Sequence, residues 1–88
     1  MDRVDLEMYN KGEELVDERI RQYYDGEPTL DEYYDCMQDL AKRAYEDEGY
    51  LPNYKKLTIE EAYFLLTFFY NIDIAEDMVE YMKEWAVA

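Results

Sequence analysis

Two helix-start motifs, each of which follows a turn-forming segment, constrain the fold of this 88-residue sequence more than any other feature. Residues 25–28 read Asp-Gly-Glu-Pro, which is typical of a turn, and residues 49–53 contain a Gly, a Pro and an Asn. The pattern Thr-x-x-Glu follows each of these turn-forming segments, beginning at Thr29 and at Thr58. In this capping box, the Thr oxygen and the Glu carboxylate accept hydrogen bonds from N–H groups that a helix start leaves unpaired. Each turn-forming segment, together with the capping box after it, therefore predicts the end of one helix and the start of the next.

Hydrophobic periodicity supports the same division of the chain and adds a fourth helix. A weaker capping box formed by Asp73 and Glu76 marks the additional helix start. No stretch shows convincing strand alternation, although residues 50–57 are compatible with an extended segment. We therefore predict an all-α fold, a single-domain bundle of about four helices over residues 1–88. The helices are expected near residues 4–25, 30–48, 59–70 and 74–86.

The predicted core is the apolar face of each amphipathic helix, and the acidic residues fall on the opposite faces. The first helix contributes Val4, Met8, Leu15, Val16, Ile20 and Tyr23. The second helix contributes Leu30, Tyr33, Tyr34, Met37, Leu40, Ala41 and Ala44. The fourth helix contributes Ile74, Met78, Tyr81, Met82 and Trp85. Gly12 falls among the apolar positions of the first helix, where it is compatible with a close helix contact or with a break in the helix.

The third predicted helix differs from the others because apolar residues surround most of its circumference. Ile59, Ala62, Tyr63, Leu66, Phe69 and Tyr70 cover one side of it, and Phe64, Leu65 and Phe68 occupy much of the other. Such a helix either lies at the centre of the bundle or forms an interface with a partner. We favour the central position and keep the interface as the alternative.

The charge of the chain excludes several classes of function. There are 23 Asp and Glu against 9 Lys and Arg, which gives a formal net charge of −14, and there is no His. A surface this acidic repels nucleic acid and anionic membranes and attracts basic proteins. The lack of His removes imidazole metal sites and catalytic triads, and three scattered Gly cannot form a phosphate-binding loop. We therefore expect a protein that is not an enzyme and uses no cofactor or metal.

Composition also indicates an ordered protein of the cytoplasm. Because 49% of the residues are apolar and 17% are aromatic, the chain can form a core despite its charge. The single Cys36 cannot form an internal disulfide, which fits a reducing compartment, and we interpret it as a small flanking residue. No apolar run approaches the roughly 20 residues that a membrane span requires.

The acidic faces of the first two helices are the candidate partner-binding surface. Residues 1–48 carry 16 acidic and 6 basic side chains, whereas residues 49–88 carry 7 and 3. Carboxylates three or four residues apart on a helix are about 4.5–6 Å apart along its axis, and phosphates follow each DNA strand about every 3.4 Å. Parallel acidic helix faces can therefore approximate the charge array of a nucleic acid strand. The residues that we predict to bind the partner are Glu7, Glu14, Glu18, Asp25, Glu32, Asp35 and Asp39.

Tyrosine is the second residue type that this acidic surface offers. Eleven Tyr are present, and four of them flank the predicted turn at residues 25–28: Tyr23, Tyr24, Tyr33 and Tyr34. A Tyr ring beside a carboxylate provides a face on which an Arg side chain can stack. Helical periodicity places these four residues near the core as well, so burial is the competing interpretation for each of them.

In size, acidity and aromatic content, the whole chain resembles the small acidic DNA-mimic inhibitors of phages and mobile elements. That group includes anti-CRISPR proteins, anti-restriction proteins and inhibitors of repair enzymes. The resemblance implies a stoichiometric inhibitor that occupies the basic nucleic-acid-binding groove of its target, and we favour a Cas effector over a restriction or repair enzyme. These inhibitors share no common fold, so no residue role is transferred from them.

The alternative function is a helical interaction module, such as an antitoxin, an adaptor or a subunit. Such a module would dock through the apolar face of the third helix, with Phe64, Leu65, Phe68 or Trp85 in the interface. Its binding would resist salt, whereas binding through carboxylates weakens as salt rises. A homodimer is compatible with either function.

Overall fold

A computed structural model describes residues 4–46 and 57–87, with side chains described as far as residue 84. Four α-helices account for most of these residues, and no strand occurs in the described ranges. They are α1 (Leu6–Tyr24), α2 (Leu30–Glu46), α3 (Ile59–Phe69) and α4 (Ile72–Val87). The predicted all-α bundle of four helices is therefore confirmed. The expected end of the second helix at residue 48 and most of the suggested extended segment 50–57 lie outside the described residues.

The two strong capping boxes form as predicted. At the start of α2, the Thr29 amide donates to the Glu32 carboxylate at 2.9 Å, and the Glu32 amide donates to the Thr29 hydroxyl at 3.1 Å. At the start of α3, the corresponding distances for Thr58 and Glu61 are 2.8 and 3.1 Å. Both helices therefore begin where short-range sequence chemistry places them.

The start of α4 corrects the weaker prediction of a box formed by Asp73 and Glu76. The helix begins at Ile72, and the side-chain oxygen of Asn71 accepts a hydrogen bond of 2.9 Å from the Ile74 amide. Asn is among the best N-cap residues, and here it directly follows the end of α3. Asp73 lies in the first turn instead, where a carboxylate interacts favourably with the helix dipole.

Helix α3 lies at the centre of the bundle and packs against the other three helices. The consecutive side chains of residues 61–66 are all buried, including Phe64 at 4% exposure and Leu65 at 0%. The first half of α3 contacts α1, and its last ring, Phe69, contacts Tyr34 of α2. The central position predicted for the third helix is therefore confirmed.

Three residues predicted to be in the core of the α1–α2 pair are exposed. Tyr23 and Leu30 flank the turn between the helices, and 75% and 84% of their surfaces are accessible. The short α3 spans only about 16 Å, against about 28 Å for α1, so it cannot cover both ends of the longer helix. Tyr34 is 48% exposed although its ring touches Phe69. Aromatic side chains at the edge of an apolar face can remain half in water in this way.

The inward face of α4 also differs from the predicted one. Ala75 and Val79 are buried together with Met82, whereas Tyr81 is 37% exposed. The predicted Ile74 and Met78 are half-buried at the edge of the same face. The small side chain of Ala75 lets this side of α4 approach its neighbours most closely. The buried face therefore centres on Ala75 and Val79 and not on Ile74 and Met78. The side chain of Trp85 lies outside the described part.

Gly12 allows α1 to pack directly on the backbone of α3, and α1 is continuous through it. A Cβ atom on Gly12 would overlap the carbonyl oxygen of Glu60 and would lie 2.7 Å from the Cβ of Phe64. The close helix contact is therefore the correct one of the two interpretations of this glycine.

We expect Gly12→Ala to lower the free energy of unfolding by about 2 kcal/mol, as overpacking of a core contact does. Alanine alone would favour the helix by about 1 kcal/mol, so a loss shows that the contact with α3 outweighs helix propensity. Urea denaturation measures the change. The control is Asn10→Ala on the exposed side of α1, for which we expect no loss. A Gly12→Ala protein as stable as the parent would contradict the close contact.

A largely buried ion pair fixes the second half of α1 to the start of α3. The Arg19 guanidinium donates to both oxygens of the Glu61 carboxylate, at 2.7 and 2.6 Å. The Glu61 side chain is 2% exposed and that of Arg19 is 33% exposed. Since Glu61 also accepts from the Thr58 amide, one carboxylate serves both the helix cap and the contact between helices.

Candidate protein-binding surface

The acidic residues predicted on α1 are all exposed. Glu7, Glu14 and Glu18 form what we call the α1 stripe, and their side chains face solvent. The buried residues Gly12, Val16 and Ile20 of the same helix lie on the opposite face. The amphipathic pattern therefore places the α1 stripe where a partner can reach it.

The predicted acidic residues of α2 are exposed in the same way. Glu32, Asp35 and Asp39 form the α2 stripe, opposite the buried Met37, Ala41 and Ala44. One oxygen of Glu32 is engaged by the helix cap, so this residue has a structural role besides any contact with a partner. Asp35 forms no ion pair among the described residues.

The turn between α1 and α2 connects the two stripes. Asp25 occupies this turn in the left-handed conformation, with φ of 55°, and its carboxylate is exposed. The Tyr24 hydroxyl donates to the Glu32 carbonyl at 3.4 Å, and Arg21 contacts Glu27 at 2.6 Å. All seven predicted residues thus lie on the outer sides of α1 and α2 and on the turn between them.

The net negative charge of the protein is located on the residues that the structure describes. Residues 1–3, 47–56 and 88 contain equal numbers of acidic and basic side chains, so the described residues carry the whole formal charge of −14. The three Arg residues of the described part, Arg19, Arg21 and Arg43, all form ion pairs with acidic residues of the same chain. Their charges are therefore partly neutralised internally, and the surface presented to a partner is predominantly anionic.

Tyr33 of α2 lies close enough to Asp17 of α1 for that carboxylate to raise the pKa of its phenol. Burial in the first place, and the nearby Asp17 carboxylate in the second, raise the pKa of Tyr33 to about 12. The pKa of Asp17 is lowered, mainly by its hydrogen bond to Arg21. Of the four tyrosines near the turn, Tyr33 is therefore a packing residue, although it contacts an acidic side chain.

The raised pKa of Tyr33 predicts a specific loss of stability at alkaline pH. A phenol with a raised pKa in the folded state contributes stability that is present below its unfolded pKa of about 10 and lost as pH rises through about 12. Urea denaturation of the parent and of Tyr33→Phe across this range tests the contribution. We expect the variant to lose less stability than the parent, and Tyr23→Phe, at an exposed position, to behave like the parent. Equal alkaline loss in Tyr33→Phe and the parent would contradict this account.

Cys36 is not set up for thiol chemistry. Burial in the first place, and the nearby Asp39 in the second, raise the pKa of its thiol. The side chain is half-buried and packs against the hydrophobic core. A raised pKa keeps the less reactive thiol form at neutral pH.

Two aromatic rings beside the α2 stripe, those of Tyr45 and Tyr70, were not identified as contact candidates from the sequence. Tyr45 of α2 stacks on Tyr70 with ring centroids 4.6 Å apart, and both rings remain about two-fifths exposed. A signal was present, because Tyr34 and Tyr45 are eleven residues apart, which is three helical turns. Their shared face was not recognised as a binding surface, because it becomes one only where the end of α3 lies against it.

The described residues provide neither a metal centre nor a membrane span. No group of three or more His, Cys, Asp or Glu side chains in that part of the chain is arranged to hold a metal ion. None of the helices described is both long enough and apolar enough to cross a bilayer. No protein-family model, curated protein or solved structure matches the chain.

Proposed function

We propose that this protein is a stoichiometric inhibitor that binds the basic nucleic-acid-binding groove of a target protein. The carboxylates of the α1 stripe, the turn and the α2 stripe take the place of phosphates. The observation that carries the proposal is the exposure of all seven predicted acidic residues on two consecutive helices and their connecting turn. The whole formal charge of −14 lies on the described residues that include this surface.

The mechanism is competition for cationic side chains. Lys and Arg residues that hold phosphates accept carboxylates as well, and Arg pairs with a carboxylate through two parallel hydrogen bonds. Opposite net charges also accelerate the encounter of the two proteins. Bound in this way, the helical surface would keep nucleic acid out of the groove.

A Cas effector is the target class that we favour, by resemblance to anti-CRISPR proteins in size, acidity and aromatic content. Restriction and repair enzymes come next, since their grooves bind phosphates through the same chemistry. Catalysis and direct nucleic-acid binding form no part of the proposal.

The experiment that tests the proposal is affinity capture from nuclease-treated bacterial lysate at about 100 mM and about 600 mM salt. We expect a nucleic-acid-binding protein to be retained at the lower salt concentration and lost at the higher one. Removing nucleic acid beforehand ensures that the captured protein contacts the acidic protein directly.

A salt-resistant partner without a nucleic-acid role would contradict the proposal and support the interaction module. The structure restricts how such a module could dock, since Phe64 and Leu65 are buried in the bundle. Phe68, at 48% exposure, is the residue of the suggested interface that remains accessible among those described. Phe68→Ala would then reduce capture of that partner.

A further inference from the structure

A groove runs along α2 where the end of α3 lies against it. Its volume is about 520 Å³, and polar and aromatic side chains line it together. The main lining residues are Asp35, Gln38, Asp39, Lys42, Phe69 and Tyr70. Two members of the α2 stripe, Asp35 and Asp39, thus belong to a concave site as well as to a charged surface.

Exposed aromatic rings frame this aromatic groove, as we call it, at both ends. Tyr34 lies near one end, with its ring 5.7 Å from that of Phe69. Tyr45 lies three turns further along α2 and stacks on Tyr70 at an interplanar angle of 24°. The rings of Tyr34, Tyr45 and Tyr70 are 48%, 40% and 39% exposed. Aromatic surface left accessible around one concave site is typical of a place where another molecule binds.

The side chains around the groove select one kind of occupant. Carboxylates repel phosphates and acidic peptides, so the occupant carries positive charge. The electron-rich ring faces attract a cation, and a planar guanidinium can stack on a ring while donating two hydrogen bonds to a carboxylate. A lysine ammonium provides neither the planar surface nor the paired donors.

The charged neighbours of the groove leave room for such a cation. Asp35 has no ion-pair partner among the described residues, and the pair of Asp39 with Arg43 is exposed by about 60% on both sides. Exposed ion pairs contribute little stability, so an incoming arginine can take the place of Arg43. Lys42 opposes binding, which makes it a useful position for a test.

We propose that the aromatic groove receives an arginine side chain of the basic target protein, stacked on the exposed ring of Tyr70 and paired with Asp35 and Asp39. This inference rests on the proposed function and adds to it a preference for arginine over lysine at one place on the surface. The rest of the acidic surface contacts the target through its carboxylates, without an aromatic ring on which an arginine stacks.

The test uses two probes, a hexapeptide of arginine and a hexapeptide of lysine, each titrated into the isotope-labelled protein. NMR signals of the aromatic rings report where each peptide binds. We expect the arginine peptide to bind about tenfold more tightly and to shift the signals of Tyr34, Tyr45 and Tyr70 most. Equal affinities, or shifts centred on the α1 stripe for both peptides, would overturn the inference.

Variants separate the contribution of the rings from that of charge. We expect Tyr45→Leu combined with Tyr70→Leu to reduce arginine-peptide affinity to that of the lysine peptide, with the lysine-peptide affinity unchanged. Lys42→Gln should tighten binding of both peptides more than Lys11→Gln does, because both substitutions remove one charge but position 42 lines the groove. Lys42→Gln and Lys11→Gln proteins with equal affinities would contradict the site.

The outcome for the groove is independent of the outcome for the proposed function. If the two peptides bind equally while the capture experiment retains a nucleic-acid-binding protein, the groove assignment fails and the inhibitor proposal stands. If the arginine peptide selects the groove but the captured partner has no nucleic-acid role, the arginine site stands and the inhibitor proposal fails.

Discussion

Replacing Arg19 with Met will lower the free energy of unfolding by about 3 kcal/mol. The substitution removes the guanidinium that donates two hydrogen bonds to Glu61 and leaves a carboxylate that is 2% exposed. Removing one partner of a buried ion pair costs more stability than replacing both partners with apolar residues, because the remaining charge is desolvated and uncompensated. The free energy of unfolding of native proteins is about 5–15 kcal/mol. The variant should therefore remain folded, and its stability can be measured by urea denaturation.

A double-mutant cycle separates the pair from its surroundings. Glu61→Gln keeps an oxygen that can accept from the Thr58 amide but removes the buried charge. We therefore expect the double variant, Arg19→Met with Glu61→Gln, to lose less stability than the sum of the two single losses. Strictly additive losses would show that the two side chains stabilise the fold independently.

Arg43→Met is the matched control for Arg19→Met. The same residue type is removed from an ion pair on a helix surface, where Arg43 and Asp39 are 61% and 60% exposed. Exposed pairs contribute about 0–1 kcal/mol, so we expect a loss well below that of Arg19→Met. Equal losses in the two variants would mean that burial of Glu61 does not determine the cost.

Reversing Glu14, Glu18 and Asp35 to Lys will weaken binding to the captured partner by about 100-fold or more at low salt. Each reversal removes an attraction and introduces a repulsion, and close charge pairs across an interface are coupled by about 1.5 kcal/mol or more. About 1.4 kcal/mol corresponds to a tenfold change in affinity. None of the three residues has a described ion pair or hydrogen bond, so the fold should persist, with an unchanged helical circular-dichroism signal.

The control for this triple variant reverses Asp77, Glu80 and Glu84, which are exposed on α4. The change in net charge is identical, so a general electrostatic effect would weaken binding equally in the two triple variants. We expect a loss of less than about tenfold for the α4 variant, because distant exposed charges are screened. A larger loss in the α4 variant would move the binding surface from α1 and α2 to α4.

The fold could be predicted from the sequence because its information is local. Thr29 with Glu32 and Thr58 with Glu61 set two helix starts through contacts three residues apart, and those contacts form as expected. The central position of α3 followed from residues that are apolar on all sides. The burial of individual side chains was predicted less accurately, because it depends on which of them another helix covers. Leu30 has the periodicity of a core residue, yet no helix extends over it.

The candidate surface shows the same division between local and long-range information. The exposure of residues such as Glu14 and Asp39 follows from amphipathic spacing within single helices. The aromatic groove could not be predicted in this way, since it joins Tyr45 of α2 to Tyr70 at the end of α3. The partner of Glu61 could not be predicted either, because Arg19 lies 42 residues away in the sequence.

Competition for the captured partner tests the central claim most directly. A fluorescently labelled nucleic acid duplex is bound to that partner, and the acidic protein is added while fluorescence anisotropy reports the bound fraction. We predict complete displacement of the duplex, at a concentration of added protein that rises in proportion to the amount of duplex present. A ternary complex, in which the duplex stays bound while the acidic protein binds as well, would contradict occupation of the nucleic-acid groove.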